Sequence, residues 1–199
     1  MATITADMVK QLRDATGAKM MDCKKALTEN DGDVEKAKEW LRKKQLVSAG
    51  KKADRSTSEG AVGSYIHMGG KIGVMVEMLC ETDFVSRNEE FQTLLRDICM
   101  HVAAANPLYL DESEVPDEVK DKEREIAREQ AKGKPESAIE KIVEGKLGKY
   151  YEQHCLLDQK FVKDDKMTVG QVVKQKIGKL GENMRITRFV RWELGETSA

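Results

Sequence analysis

The sequence predicts an α+β protein with a three-helix N-terminal module, an α+β core built on a small antiparallel sheet with packed helices, and an antiparallel helical hairpin inserted into that core. Apolar residues recur at helical spacing through the first fifty residues, and they alternate at strand spacing over 72–80 and 185–194. A Gly-Lys-Pro break at 133–135 separates two highly charged helical stretches. The predicted boundaries are 1–47 for the module, 48–59 for a linker, 60–112 with 154–199 for the core, and 113–153 for the hairpin.

The composition excludes several classes of function. The chain has 199 residues, with 34 Lys and Arg against 35 Asp and Glu. Nucleic-acid-binding proteins usually carry a basic excess, so we expect no direct binding to nucleic acid. No apolar run approaches the ~20 residues that span a bilayer, and the N-terminus does not resemble a signal peptide. We therefore expect a cytoplasmic protein that does not bind membranes.

Charge is nevertheless distributed unevenly along the chain. Bases outnumber acids in residues 1–55 and 160–196, whereas acids outnumber bases in 111–129. Such blocks usually form solvated faces, but they can also steer a charged partner.

The first fifty residues predict three short helices. Thr5 is a suitable N-cap for a helix that runs to Thr16, and Gly17 can end that helix in the left-handed conformation. A second helix over 20–29 places its apolar residues on one stripe, and Asp33 can cap a third. Helices this short bury little surface, so they predict a small docking module.

The sequence then changes to strand periodicity. Residues 60–67 and 72–80 predict a hairpin with its turn at Gly69-Gly70. Residues 86–89, Ser-Arg-Asn-Glu, fit a capping box for a helix that ends before Pro107.

The second half predicts the inserted hairpin and the end of the core. Pro116 is suited to the first position of a helix, and a second helix follows the break at 133–135. Thr168 can cap a further helix. Residues 185–194 predict a half-buried strand, with Trp192 on its inward face.

No motif for catalysis, metal binding or cofactor binding is present. A phosphate-binding glycine loop, a dinucleotide fingerprint and a nucleophile elbow are all missing from the sequence. The histidines and cysteines lack metal-ligand spacing and any CxxC pair; they are His67, His101, His154, Cys23, Cys80, Cys99 and Cys155. We expect reduced thiols, a structural His101, and no cofactor. Distant residues can converge in a fold, so catalysis stays open at this point.

Two local features suggest contacts with a partner. Met20 and Met21 point about 100° apart on a helix, so either they form a core-and-rim pair or one is an exposed, adaptable contact. Thr82-Asp83-Phe84-Val85 follows a strand. Either Asp83 caps a turn there and Phe84 enters the core, or Phe84 is an aromatic wedge on an exposed turn.

Several stretches, in order, resemble the elongation factor Ts family. They cover nearly the whole chain and comprise Leu12-Arg13 with Thr16-Gly17-Ala18, Met20-Met21-Asp22-Cys23-Lys24-Lys25-Ala26-Leu27, Gly63-Ser64-Tyr65-x-His67, Ile72-Gly73-Val74, Thr82-Asp83-Phe84-Val85, Gly133-Lys134-Pro135 and Val143-Glu144-Gly145. Lys19 departs from the family pattern, which usually has glycine there.

This resemblance implies a guanine-nucleotide exchange factor for elongation factor Tu, without covalent chemistry. It implies that the N-terminal module is UBA-like, and that the chain resembles the short form, which associates as a homodimer. It also implies that Thr82, Asp83, Phe84 and Val85 dislocate the Mg²⁺ of the partner GTPase. Arg13, Met20, Met21 and His67 match partner-binding positions.

Two other functions compete with this hypothesis. One is a UBA-like adaptor that recruits a partner without altering nucleotide release. The other is an enzyme that uses His67 or a cysteine.

Overall fold

The three N-terminal helices follow from their capping residues. In the computed structural model, which describes residues 3–196, these helices are α1 (Ala6–Thr16), α2 (Met20–Glu29) and α3 (Val34–Gly50). The Thr5 hydroxyl accepts a hydrogen bond from the Met8 N–H at 3.3 Å, and Gly17 ends α1 at φ 64°. The Asp33 carboxylate accepts from the Glu35 N–H at 3.0 Å. All three predicted helices are confirmed. The extreme ends of the predicted module and core, residues 1, 2 and 197–199, lie outside the described residues.

The rest of the chain alternates strands and helices, which confirms the α+β class. The further elements are β1 (Glu59–Ile66), β2 (Ile72–Cys80), α4 (Asp83–Ser86), α5 (Glu89–Ala105), α6 (Asp117–Gln130), α7 (Glu136–His154), β3 (Lys160–Phe161), β4 (Asp164–Thr168), α8 (Val169–Leu180) and β5 (Met184–Glu193). One sheet has the order β1-β2-β5, and β3 pairs with β4 in a separate antiparallel ribbon.

The chain divides into two compact units. The first comprises the chain up to Gly60, Leu79–Phe91 and Val173–Arg185, and the second comprises Ala61–Met78, Gln92–Val172 and the chain from Ile186.

The first unit has a core of small and aliphatic side chains from α1, α2 and α3. Its buried members are Val9, Leu12, Ala18, Cys23, Ala26, Leu27, Ala37 and Leu41. The C-terminal half of α8 approaches α3 closely, because a Cβ at Gly178 would lie 2.8 Å from the Cβ of Gln45. Only glycine fits there without displacing α3.

The second unit has its core under β2 and α5. Val74, Val76 and Met78 alternate inward, as the strand pattern predicts, and Leu95 lies beneath Gly63 of β1. In the same unit, α6 packs on α7 as the predicted antiparallel hairpin.

The capping box predicted at 86–89 is wrong. The chain forms an extra helical turn, α4, and the Ser86 hydroxyl donates to the Asp83 carbonyl at 2.9 Å within it. Asn88 caps α5 instead, since its side-chain oxygen accepts from the Glu90 N–H at 2.8 Å. At α8 the predicted cap is confirmed, and it is reciprocal: Thr168 and Gln171 each accept from the other's backbone N–H.

Two other expectations were wrong in detail, and one strand was not predicted. Pro116 immediately precedes α6 rather than opening it. Trp192 is 58% exposed and not inward-facing, because it lies near the end of β5. The sequence did not predict β4, since its residues Asp164–Met167 are mostly charged and show no apolar alternation.

Candidate partner-binding site

An exposed phenylalanine projects from the single helical turn that follows β2. Thr82 has extended backbone, with φ −131° and ψ 157°, and the chain turns into α4 at Asp83. The side chain of Phe84 is 82% exposed, so the alternative in which it enters the core is wrong. Val85 is half-buried and ties the turn to the unit.

The start of this turn is held by the loop between α8 and β5. Glu182 accepts two hydrogen bonds from Thr82, from the backbone N–H at 3.0 Å and from the hydroxyl at 2.7 Å. In the reciprocal direction, Glu81 accepts from the Asn183 N–H at 2.6 Å. Bonds to carboxylates are stronger than those between neutral groups, so Thr82 has little freedom to move.

A third segment completes this anchoring. The Asn183 side-chain amide donates to the carbonyls of Ala53 at 3.1 Å and Arg55 at 2.9 Å, and Asn183 is only 5% exposed. Since buried amides are costly without partners, these bonds fix the loop after α3 to the loop before β5. The exposed Phe84 is thus carried on a backbone held from two directions.

Asp83 is accessible beside Phe84. Its carboxylate forms an ion pair with Arg87 at 3.1 Å, and the two side chains are 44% and 80% exposed, respectively. An exposed pair of this kind contributes about 0–1 kcal/mol, so little is lost when the carboxylate turns to another ligand.

The N-terminal residues singled out from the sequence are also accessible, and they lie in the same compact unit as α4. Arg13 is exposed in the last turn of α1. Met20 and Met21 are 44% and 72% exposed. The alternative of a core-and-rim pair is therefore wrong. Cys23 and its neighbours on the buried stripe fill the core, and both methionines are left on the surface.

His67 belongs to the second unit and is exposed at the end of the β1–β2 hairpin. Its Nδ1 lies 3.1 Å from the Tyr65 hydroxyl, which orients the ring.

The buried titratable groups have structural partners. His101 is fully buried; its Nδ1 accepts from the Val162 N–H at 3.3 Å, and its other ring nitrogen lies 2.9 Å from the Gln159 side-chain oxygen. Burial lowers the pKa of His101 below its ordinary value, so the ring is neutral near pH 7. The expected structural role is confirmed.

The four cysteines are free and buried. Burial raises the pKa of Cys99 to about 11, and burial with nearby carboxylates raises the pKa of Cys155 to about 12. Thiols in such surroundings are poor nucleophiles. Residues 3–196 contain no group of three or more His, Cys, Asp and Glu that could hold a metal ion. Within the same range, no helix combines the length and apolar character that crossing a membrane requires.

Glu81, Glu182 and Asn183 were not found from the sequence. The pairing of Thr82 with Glu182 joins residues 100 positions apart, and a local pattern contains no signal for it. The only available hint was a polar Glu-Asn pair where a helix gives way to a strand.

Comparison with known proteins identifies relatives along almost the entire chain. A family model described as "Elongation factor TS" matches residues 2–196. The chain is 56% identical to elongation factor Ts of Geobacter sulfurreducens over 196 residues, which cover 98% of this chain and 91% of that protein. It is 58% identical to the Geobacter metallireducens protein of the same name, with the same coverage. It is 55% identical to that of Oleidesulfovibrio alaskensis over 98% of this chain and 100% of that protein.

Proposed function

The chain belongs to the elongation factor Ts family, and on that premise we propose that it is a guanine-nucleotide exchange factor that binds elongation factor Tu in its GDP form and accelerates GDP release during translation elongation. GTP then occupies the emptied site. No covalent step and no cofactor of its own are part of this proposal. The family assignment also leads us to propose a cytoplasmic location and no direct nucleic-acid partner.

The observation that carries the mechanism is the 82% exposure of Phe84 on an anchored turn. An aromatic side chain on an anchored backbone has only its two side-chain torsions to order when it enters a partner, which is how interface anchors act. We propose that Phe84 is the wedge that separates side chains of the partner's G domain. Thr82 and Val85 hold the wedge in place.

Asp83 supplies the electrostatic part of the mechanism. GDP is held in its GTPase largely through its phosphates and the associated Mg²⁺. A carboxylate and an aromatic ring inserted near that ion disturb its coordination and so weaken the binding of GDP to the GTPase. By thermodynamic linkage GDP weakens the factor's binding equally. Each ~1.4 kcal/mol removed from the release barrier speeds release tenfold.

The other exposed residues singled out from the sequence contribute to binding of the partner rather than to release of its nucleotide. We propose that Arg13, Met20 and Met21 hold the G domain through the N-terminal module, for which a UBA-like fold is part of the proposal. The methionines suit this role because flexible thioether side chains adapt to a partner surface. We propose that His67, oriented by Tyr65, makes a further contact. The division into module, linker, core and inserted hairpin predicted above belongs to the same proposal.

We further propose that the protein acts as a homodimer. The support is an apolar patch on the sheet of the second unit, where Val62 is 57% and Met75 is 42% exposed beside a cavity of about 270 Å³. Light scattering at micromolar concentration tests this, and a mass equal to one chain contradicts it.

The exchange function is tested by following release of fluorescent GDP from preloaded elongation factor Tu. We expect the wild-type protein to accelerate release, and Phe84→Ala to lower the acceleration by about tenfold or more, equivalent to ~1.4 kcal/mol. The matched control is Leu108→Ala, since Leu108 is 56% exposed and is in none of the proposed contact regions. Binding without acceleration by the wild type would indicate the adaptor function instead. If Phe84→Ala accelerated GDP release as strongly as the wild type, only the assignment of Phe84 as the wedge would be contradicted.

A further inference from the structure

A lysine-lined cavity lies within the first unit, apart from the Phe84 turn. Its volume is about 140 Å³. Its walls come from the start of α2, from α3 and from the end of α8, and the charged side chains among them are Lys19, Asp22, Lys44, Lys52 and Lys179.

The charges around this cavity are unbalanced. Lys44 is paired with Asp22 at 2.5 Å, and Lys179 is paired with Glu90. In the part of the chain that the structure describes, no carboxylate lies within ion-pair distance of Lys19 or Lys52. The Lys52 ammonium donates instead to the Ser48 hydroxyl at 2.8 Å. Among the described residues, Lys19 and Lys52 therefore border the cavity without an ion-pair partner, although the charge of Glu81, which is paired with Arg55, also acts on Lys52.

The protein backbone adds to the positive potential. Ala18 and Lys19, which immediately precede α2, are part of the cavity wall, so the positive end of this helix borders the cavity. The free N–H groups of a helix N-terminus carry partial positive charge and favour anions.

The electrostatic surroundings of Lys52 favour the approach of an anion. Burial lowers the pKa of Lys52, repulsion from Arg55 and Lys19 lowers it further, and the smaller attraction of Glu81 does not offset them. A bound anion would reverse that repulsion.

We propose that this cavity binds a small oxyanion of the phosphate class, with Lys19 and Lys52 as its principal ligands.

The volume of the cavity limits the size of the oxyanion. Pockets for drug-sized molecules are about 300–1,000 Å³, so this cavity is too small for a whole nucleotide. It exceeds the ~10–15 Å³ that a single water needs by roughly tenfold, which leaves room for inorganic phosphate or pyrophosphate. This inference does not depend on the exchange activity.

The test is calorimetric titration of the full chain with sodium pyrophosphate and, separately, sodium phosphate, against sodium chloride of equal ionic strength. We expect saturable binding with a Kd of about 1 mM or tighter for at least one of the two oxyanions and none for chloride. Lys52→Gln and Lys19→Gln should each weaken binding by about tenfold or more. The control is Lys25→Gln, which removes the same charge from an exposed position of α2 outside the cavity.

An independent measurement protects the test against misfolded variants. Amide NMR shifts of the wild-type protein should move at residues 18–22 and 48–52 during the pyrophosphate titration. The proposal is overturned by the absence of saturable binding, by shifts confined to other residues, or by a Lys25→Gln effect as large as that of Lys52→Gln.

Discussion

The carboxylate of Glu182 accepts both the backbone N–H and the hydroxyl of Thr82, at 3.0 and 2.7 Å. This double hydrogen bond sets the position at which the chain leaves β2 and enters the turn that carries Phe84. It makes Glu182 a positioning residue in the proposed mechanism, because its side chain acts on the exposed aromatic ring only through Thr82.

Glu182→Ala should therefore slow GDP release from elongation factor Tu as well as destabilise the fold. Loss of hydrogen bonds to a charged group costs about 1.5–3 kcal/mol, which for a chain of this size lowers the Tm by several degrees. Glu29→Gln, which alters an exposed carboxylate on α2, is the matched control in both assays.

A double-mutant cycle separates positioning from general destabilisation. If Glu182 acts through Phe84, then Glu182→Ala should slow exchange much less in a Phe84→Ala background than in the wild type. Additive effects on the release rate would contradict the positioning role.

Asp83 and its neighbour Arg87 should respond differently to substitution. Arg87→Gln removes a pair whose Arg87 side chain is 80% exposed, so the free energy of unfolding should change by less than about 1 kcal/mol. Exchange should be unchanged or faster, because Asp83 is released. Asp83→Asn should slow exchange without unfolding the protein. Stopped-flow release and urea denaturation measure the two effects; slower exchange in Arg87→Gln would show that the pair itself is needed.

Glu90 should make stability depend on pH in the acid range. Burial raises its pKa, but hydrogen bonds and ion pairs to Lys176, at 2.6 Å, and Lys179 outweigh burial, so the pKa lies below its ordinary value of 4.5. A carboxyl group with a lowered folded pKa stabilises the protein above pH 4.5, and this contribution is lost as the pH falls through the folded value.

The corresponding variant is Glu90→Gln. It should be about 1 kcal/mol less stable than the wild type at pH 7, and the difference should shrink below pH 4.5. Urea denaturation at pH 7 and at a pH below 4.5 measures the difference in the free energy of unfolding. Glu89→Gln, at the exposed neighbouring position, should show a smaller difference at pH 7; a Glu90 effect that persists at low pH contradicts the assignment.

The cysteines should be inert in the native protein. All four are free and buried, and burial raises the pKa of Cys99 to about 11. At pH 8 an aromatic disulfide reagent should therefore react with no thiol while the protein stays folded, and with all four after denaturation. Rapid labelling of the native protein at any one cysteine contradicts this prediction.

Gly63 should not tolerate a side chain. A Cβ there would lie 2.5 Å from the Leu95 Cγ and 3.1 Å from the Cys99 Sγ, both buried. Gly63→Ala should destabilise the protein by about 1–3 kcal/mol through overpacking. Gly145→Ala is the control, since α7 leaves open space there, and it should be neutral or stabilise by up to about 1 kcal/mol. Thermal unfolding compares the two; equal effects would contradict the packing argument.

The sequence predicted those features of the fold that depend on near neighbours. The Thr5 and Thr168 caps, the Gly17 stop and the alternation of Val74 with Val76 join residues at most four positions apart. Their local geometry satisfies backbone groups or one buried face, so the pattern itself contains the information. The family was also recognisable from ordered motifs.

The tertiary structure alone decided how the candidate site is held and which of the local alternatives the chain adopts. Phe84 could equally have been buried, and residues 86–89 fitted a capping box that does not form. The outcome depends on Glu182 and Asn183, because the Thr82 N–H and the buried Asn183 side-chain amide both need acceptors, and residues distant in sequence provide them. Local patterns therefore determined the helices and strands, whereas hydrogen bonds across 100 residues determined where the exposed aromatic ring stands.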